Sequence, residues 1–342
     1  MMYKKEYLSE QEMLDGLVMK NMRDFINNEV NIDEMLSQFN EINVPEKFKG
    51  IFESKRKEFK ESGLIVRALE NKIIKNPVEL NADYLSEEKT LLDNRLIIAE
   101  KGSELTLVID YEDLDKEILE HKGVNRILVK DNAVVNIIKI QRLSDKGKNY
   151  DLNLSIVKNR GKINWVTVDI GAKESYSLNI NKLEKEGSKA DIKSIYFGDE
   201  ERKLDLNYTV KHYGAHSFSE IESRGVLKDK AKKTFRGNLH FKKEARQADG
   251  SEKEHVLLMD KSVDSDSIPA LFTEEDNVQG EHAVSAGQID EERLFYLMSR
   301  GFDENEAKKL LVEAAFNPIF EKIPFNELKG SVMNEVKRRL EK

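Results

Sequence analysis

The side chains best suited to hold a soft metal are few in this chain: six histidines, His121, His212, His216, His240, His255 and His282, and no cysteine. The missing thiol excludes disulfides, a cysteine nucleophile and any thiolate metal site built by this chain alone. His212 and His216 are four residues apart, which on a helix would form a metal pair. On a strand they would share a face but sit about 13 Å from each other, so both read as structural or surface residues. Asp264 and Asp266 in VDSDS lack the glycine and glutamate of a calcium loop and read as a solvated turn. His282 stands alone in GEHAVSAGQID, where the chain changes from small strand-like residues to a helical pattern. A lone histidine is more often a hydrogen-bonded structural residue than a ligand.

No enzyme signature accompanies these residues. The chain has no glycine-rich phosphate loop before a Lys-Ser/Thr pair, no H-E-x-x-H and no G-x-S-x-G. Its 342 residues carry 35% charged side chains and a net charge of −8. Acids and bases alternate, so no basic field for nucleic acid forms; ESRGVLKDKAKK is basic but short and reads as a solvated face. No apolar run approaches the ~20 residues of a membrane span, and MMYKKEYLSEQEM has no export signal. These features predict a soluble, cytoplasmic protein without nucleic-acid or membrane partners.

Three segments must position the chemistry. Residues 1–94 read as an N-terminal helical segment: MLDGLVMKNMRDFI sets Met13, Leu17, Met22 and Phe25 near one side, and EKFKGIFESKRKEF repeats the idea. Over 95–287 the period changes to short alternating runs rich in Val, Ile and Thr, such as ELTLVID, INWVTVDIG and LDLNYTVKHY. Turn marks at Gly102, Asn132, Gly161, Gly187 and Gly214 fall 30, 29, 26 and 27 residues apart. Helical crossovers are absent, which argues against a doubly wound sheet. A sandwich would also give short strands, but stacked coils explain the recurring spacing better. The expected core is a β-helix. Residues 288–342 are helical: Asp290 caps a first helix that Gly301 ends, Asp303 and Glu306 form a capping box for a second, and SVMNEVKRRLEK makes a third. Pro318 and Pro324 are expected to punctuate this tail.

GEHAVSAGQIDEERLFYLMSRGFDENEAKKLL resembles the C-terminal signature of the SufB/SufD family of iron–sulfur cluster assembly proteins. TVKHYGAHSFSEIESRGVLKDKAKKTFRGNLHFKKEARQADG and HVLLMDKSVDSDSIPAL resemble preceding segments of that family, over roughly 200–316. The resemblance implies a right-handed parallel β-helix with helical ends, working as a non-catalytic scaffold. It further implies pairing with a SufB-like subunit and docking of a SufC-like ATPase; a homodimer in isolation is the alternative pairing that the sequence leaves open. The absence of cysteine points to the SufD-like branch. Where the family often reads C-S-H-G-A, this chain has Gly280, Glu281, His282, Ala283 and Val284, so the thiol position is Gly280 and His282 is the matching soft ligand. No cofactor is expected on this chain alone; iron or a transient iron–sulfur cluster at the subunit interface is the expected cargo, with His282 a shared ligand and Gly280, Ala283 and Ser285 leaving room around it. The alternative is a β-helix lyase or esterase acting on polysaccharide.

The tail helices from Glu291 to Phe316 are the expected ATPase contact, with Leu294, Phe295, Leu297 and Met298 as apolar anchors and Arg300 as a rim charge. Two other readings of the tail are weaker. A helix-turn-helix would need basic first turns, and these are acidic; a ubiquitin-associated module would match less than one helical hairpin. A plain cap on the open end of the solenoid is compatible with docking.

Overall fold

Alternation decides the architecture. In the strand Lys203–His212, KLDLNYTVKH, the residues Leu204, Leu206, Tyr208 and Val210 are buried and the residues between them are more exposed. That strand lies in parallel register between Glu174–Leu183 and Lys232–Phe241, with Asp205 opposite Tyr176 and Thr234. Parallel neighbours so close in sequence need a return path, and the intervening strands Lys189–Gly198 and Phe218–Leu227 supply it from a facing sheet. The structure, a computed structural model, describes residues 15–22, 32–53, 63–80, 83–85, 89–112, 118–323 and 325–341.

Two sheets of eleven and eight strands, parallel through the body of the solenoid, form it; successive strands of the chain alternate between them. Register offsets run from 26 residues (Tyr150 opposite Tyr176) to 32 (Thr234 opposite Asp266), bracketing the spacing of the turn marks. The turns stack. Gly102, Asn132, Arg160, Gly187 and His216 all have positive φ, between 53° and 67°. Each donates its backbone N–H to a carbonyl one coil further on, as Asn132 does to Asn159 and Gly187 to Ala215, both at 2.9 Å. The left-handed residues of two coils are thus Arg160 and His216, each a residue or two from the expected Gly161 and Gly214.

The core has three layers. Leu105, Val135, Trp165, Ile192, Tyr208 and Phe241 fill the interior between the sheets. Phe39, Ile42 and Phe48, from the helices Ile32–Asn40 and Glu46–Glu53 and the loop between them, cover Leu96, Leu128 and Leu154 on the outer face of the larger sheet. The tail covers the outer face of the smaller sheet: Val312, Phe316 and Ile319 from the helix Glu304–Phe320, with Val332 and Val336 from Asn326–Leu340, pack on Ile138, Val168, Ile195 and Phe197. The interior also holds hydrogen-bonded polar groups, among them Lys139–Asp151 at 2.5 Å and Thr167–Tyr208–Ser194.

Several expectations are corrected. Leu17–Asn21, within the segment read as helical, is a strand antiparallel to Leu64–Ala68, and the latter already pairs with Thr90–Ala99; a buried sheet edge outweighs the helical spacing of Leu17 and Met22. Met13, Phe25 and Pro324 lie outside the described residues. Pro318 does not end the second tail helix but sits inside its last turn, near the end of a helix that stops at Phe320. Asp264 and Asp266 belong to a short edge strand, Asp264–Ser267, and not to a turn. The tail lies on the side of the solenoid and leaves the last strand, Val278–Gln288, exposed, so it is no cap on the open end.

Candidate functional site

Among the described residues, nothing stacks on the last coil. Its strand Val278–Gln288 is the edge of the smaller sheet and, among those residues, pairs only with Ala248–Leu258. In Ala248–Leu258 the residues Ala248, Gly250, Glu252, Glu254 and Val256 are buried, so that phase faces the interior. Register carries it outward by one coil: Val278 lies over Ala248, Gly280 over Gly250, His282 over Glu252 and Val284 over Glu254. His282 is therefore in the inward phase yet exposed. Val284 and, from the other sheet, Leu271 remain 40% and 41% exposed at the same end.

Beneath His282 is a polar niche that no motif announced. Glu252 is 1% exposed, and neither of its carboxylate oxygens has a hydrogen-bond partner. Its side chain crosses toward the opposite sheet, where a Cβ on Gly237 would collide with it. Burial pushes the Glu252 carboxyl from the ordinary 4.5 up to about 8; the Glu254 charge adds to the rise and Lys233 opposes it. Glu254 accepts hydrogen bonds from Tyr196 Oη at 2.7 Å and Lys233 Nζ at 2.9 Å, both on Oε1. Lys233 Nζ also donates to Ser267 Oγ at 2.8 Å and to the Asp266 carbonyl at 3.0 Å. Gly225 lets the Tyr196 ring pass, since a Cβ there would overlap it. The sequence signal was present: Glu252 and Glu254 occupy the apolar phase of ADGSEKEHVLL, where an acid needs a reason to be.

The small residues around His282 divide between two faces. Gly280 faces inward beside Leu271 and Phe241, and a Cβ would lie 2.8 Å from Leu271. Ala283 and Ser285 are in the outward phase, opposite Lys253 and His255, so they do not make room beside His282; Ser285 Oγ instead bonds His255 Nδ1 at 2.8 Å. Glu281 is likewise outward. His212 is fully buried, bonded to Ser217 and Ser219 at 2.8 Å and stacked on Phe241; burial lowers its pKa to about 3, which keeps it neutral. Among the described residues no three His, Asp or Glu side chains converge as a complete metal site.

The first tail helix, Glu291–Ser299, starts at Asp290, whose carboxylate accepts from the Glu292 and Arg293 amides, and buries none of its residues. Phe295 is 73% exposed and Met298 41%, with Tyr296 and Phe302 beside them in sequence and also exposed. Leu294 and Leu297 are half-buried, and the Arg300 guanidinium lies over the Tyr296 ring at 5.1 Å. Tyr296 and Phe302 were not among the expected anchors. No helix among the described residues is long and apolar enough to cross a membrane.

A model of the SufBD core domain of the SUF system for iron–sulfur cluster assembly matches residues 83–315, from the first coils through most of the second tail helix. The chain belongs to the SufBD family. It is 26% identical to the iron–sulfur cluster assembly protein SufD of Bacillus subtilis over 280 residues, 81% of this chain and 64% of that protein. It is 28% identical to an iron–sulfur cluster assembly SufBD family protein of Staphylococcus saprophyticus over 266 residues, 77% of this chain and 57% of that protein. The chain thus spans less than two thirds of the length of these relatives. A SufBD core on a parallel solenoid bears out the family and fold expected from the sequence.

Proposed function

We propose that this SufBD family member is a non-catalytic scaffold subunit of a cytoplasmic SUF-type assembly complex. It pairs with a SufB-like subunit through the open end of its solenoid and docks a SufC-like ATPase through the helix Glu291–Ser299. The observation that carries the reading is the last coil: an eleven-residue edge strand, Val278–Gln288, with its inward His282 uncovered. An unpaired edge of that length is a template for another strand, and a second solenoid stacked there would enclose His282 between two interiors. A thiolate from the partner and the His282 imidazole would then share iron or a nascent cluster as cargo.

The experiment is co-expression with a SufB-like subunit, with size measurement and anaerobic cluster reconstitution of wild type and His282→Ala. The reading expects a stable pair in both and loss of cluster yield in the variant. Two independent monomers at micromolar concentration, or full cluster yield from His282→Ala, would overturn it.

A further inference from the structure

Glu252 is an anomaly that subunit pairing alone does not explain. A carboxyl group removed from water with both oxygens unpartnered destabilises a fold, and such a group is protonated, paired or bound to a cation; a metal ion here would displace the proton. The obvious internal partner is committed elsewhere: Lys233 is held by Glu254, Ser267 and the Asp266 carbonyl. The space around Glu252 is also specific. Gly237 faces it from the opposite sheet and would clash with it if it carried a side chain. Directly above Glu252 in register stands His282, one strand spacing away at about 4.8 Å. Both side chains project in the same phase, so an imidazole nitrogen and a carboxylate oxygen can meet one ion between them.

We propose that Glu252 and His282 form a half-site for ferrous iron at the open end of the solenoid, completed by ligands from the subunit stacked on that end. The donor set, one imidazole and one carboxylate, suits a divalent first-row cation and not a thiophilic Cu(I). Glu254 stands beside it, one oxygen, Oε1, held by Tyr196 and Lys233 and the other, Oε2, buried without a hydrogen-bond partner. Two ligands from one chain leave the remaining positions open, as a site that receives and releases a cargo ion requires. The proposal rests on the reading of His282 given above and adds a second ligand to it, supplied by the preceding coil.

The test is anaerobic equilibrium titration with Fe2+, and with Co2+ as an absorption probe, on the full chain alone and co-purified with its SufB-like partner. Glu252→Gln, which keeps shape and removes the anionic ligand, is expected to weaken binding by at least about 10- to 100-fold, since losing a ligand costs no less than losing a group that only supports one. Gly237→Ala, which retains both ligands but displaces the Glu252 side chain, is expected to weaken it as well. The thermal midpoint of Glu252→Gln should stay level or rise, since an unpaired buried acid is removed, and this separates lost binding from lost folding. Binding by Glu252→Gln equal to wild type, or no saturable metal binding by wild type in either preparation, overturns the half-site. If His282→Ala abolishes cluster yield while Glu252→Gln binds metal normally, the scaffold reading stands and Glu252 is excluded. If Glu252-dependent binding persists in a chain that pairs with no second subunit, the half-site stands and the pairing fails.

Discussion

Arg339, in the last turn of the last helix, forms a buried ion pair with Asp199, which follows a strand 140 residues earlier, at 3.2 Å. The same guanidinium reaches Asp145 at 2.8 Å and Glu335 at 2.8 Å. Asp199 is fully buried and is also paired with Arg202 at 2.9 Å. Arg339 therefore fastens the tail to the loops at one end of the strands of the smaller sheet. Breaking a buried pair from one side leaves a charge without its partner and costs about 3–5 kcal/mol. Arg339→Ala should fall near the lower end, because Arg202 still holds Asp199. Urea unfolding of wild type and variant measures this; a loss below about 1 kcal/mol, within surface-substitution territory, would show that the pair does not anchor the tail.

Asp169 gives the solenoid interior a pH signature. Burial pushes its carboxyl from the ordinary 3.8 up to about 7, against the hydrogen bonds from Ser175 and Gln141 and the charge of Arg202. The folded state thus holds this proton more tightly than the unfolded chain does. Its contribution is complete below about 3.8 and is lost as the pH rises through about 7, so stability declines with pH across that window. Asp169→Asn removes that slope. Denaturation midpoints of both proteins at several pH values between about 4 and 9 should diverge in slope below about pH 7 and run parallel above about pH 8. Identical profiles would place the Asp169 pKa near that of an exposed acid.

The coils were legible because period-2 alternation survives burial on both sheet faces: Leu204, Leu206, Tyr208 and Val210 mark one phase whatever covers the other. Two things were not legible, and a third was legible only from the phase of its strand. LVMKN carries no period of its own, and its strand exists because Leu64–Ala68, distant in sequence, offers an edge. Phe316 and Ile319 form an apolar stripe that could equally have covered the open end; only the outward Ile138, Val168 and Ile195 decide that it lies on the side. Glu252 looked like one charge in SEKEH until the phase set by Ala248, Gly250 and Val256 turned it inward. His282 was legible from its place where strand gives way to helix and from the family pattern it matches, and its register partner was the missing half of that observation.

The stacked turns make opposite predictions for two neighbouring coils. Arg160 and Gly187 hold equivalent places, with φ of 53° and 65°. A side chain in the left-handed region costs about 1–2 kcal/mol, which glycine avoids. Arg160→Gly should therefore leave stability level or raise it by up to about 1 kcal/mol, after the extra chain entropy of glycine is deducted. Gly187→Ala should lower it by about 1 kcal/mol. Thermal unfolding resolves both, and a loss in both variants would mean that the arginine side chain, and not the backbone, holds its turn.

The tail makes the prediction that bears most directly on ATPase docking. Removing everything after Gly287 is the simplest test, but the structure shows why it fails: Val312, Phe316, Ile319, Val332 and Val336 cover a broad apolar sheet face, and the truncated chain would expose Ile138, Ile140, Val168, Ile195 and Phe197 to water. That chain is expected to aggregate, so its loss of binding would carry no information. Point substitutions in Glu291–Ser299 avoid the difficulty, because that helix buries none of its residues. Phe295→Ala should change stability by no more than about 0.5 kcal/mol, as exposed positions do, and still weaken capture of a SufC-like ATPase by about 2 kcal/mol or more if Phe295 is a central anchor. Met298→Ala should act in the same direction and less strongly. Leu294→Ala, at a half-buried position, should affect stability and binding together. Titration of each variant with the ATPase, beside its thermal midpoint, separates the two roles; undiminished binding by a Phe295→Ala, Met298→Ala double variant would move the docking surface off this helix.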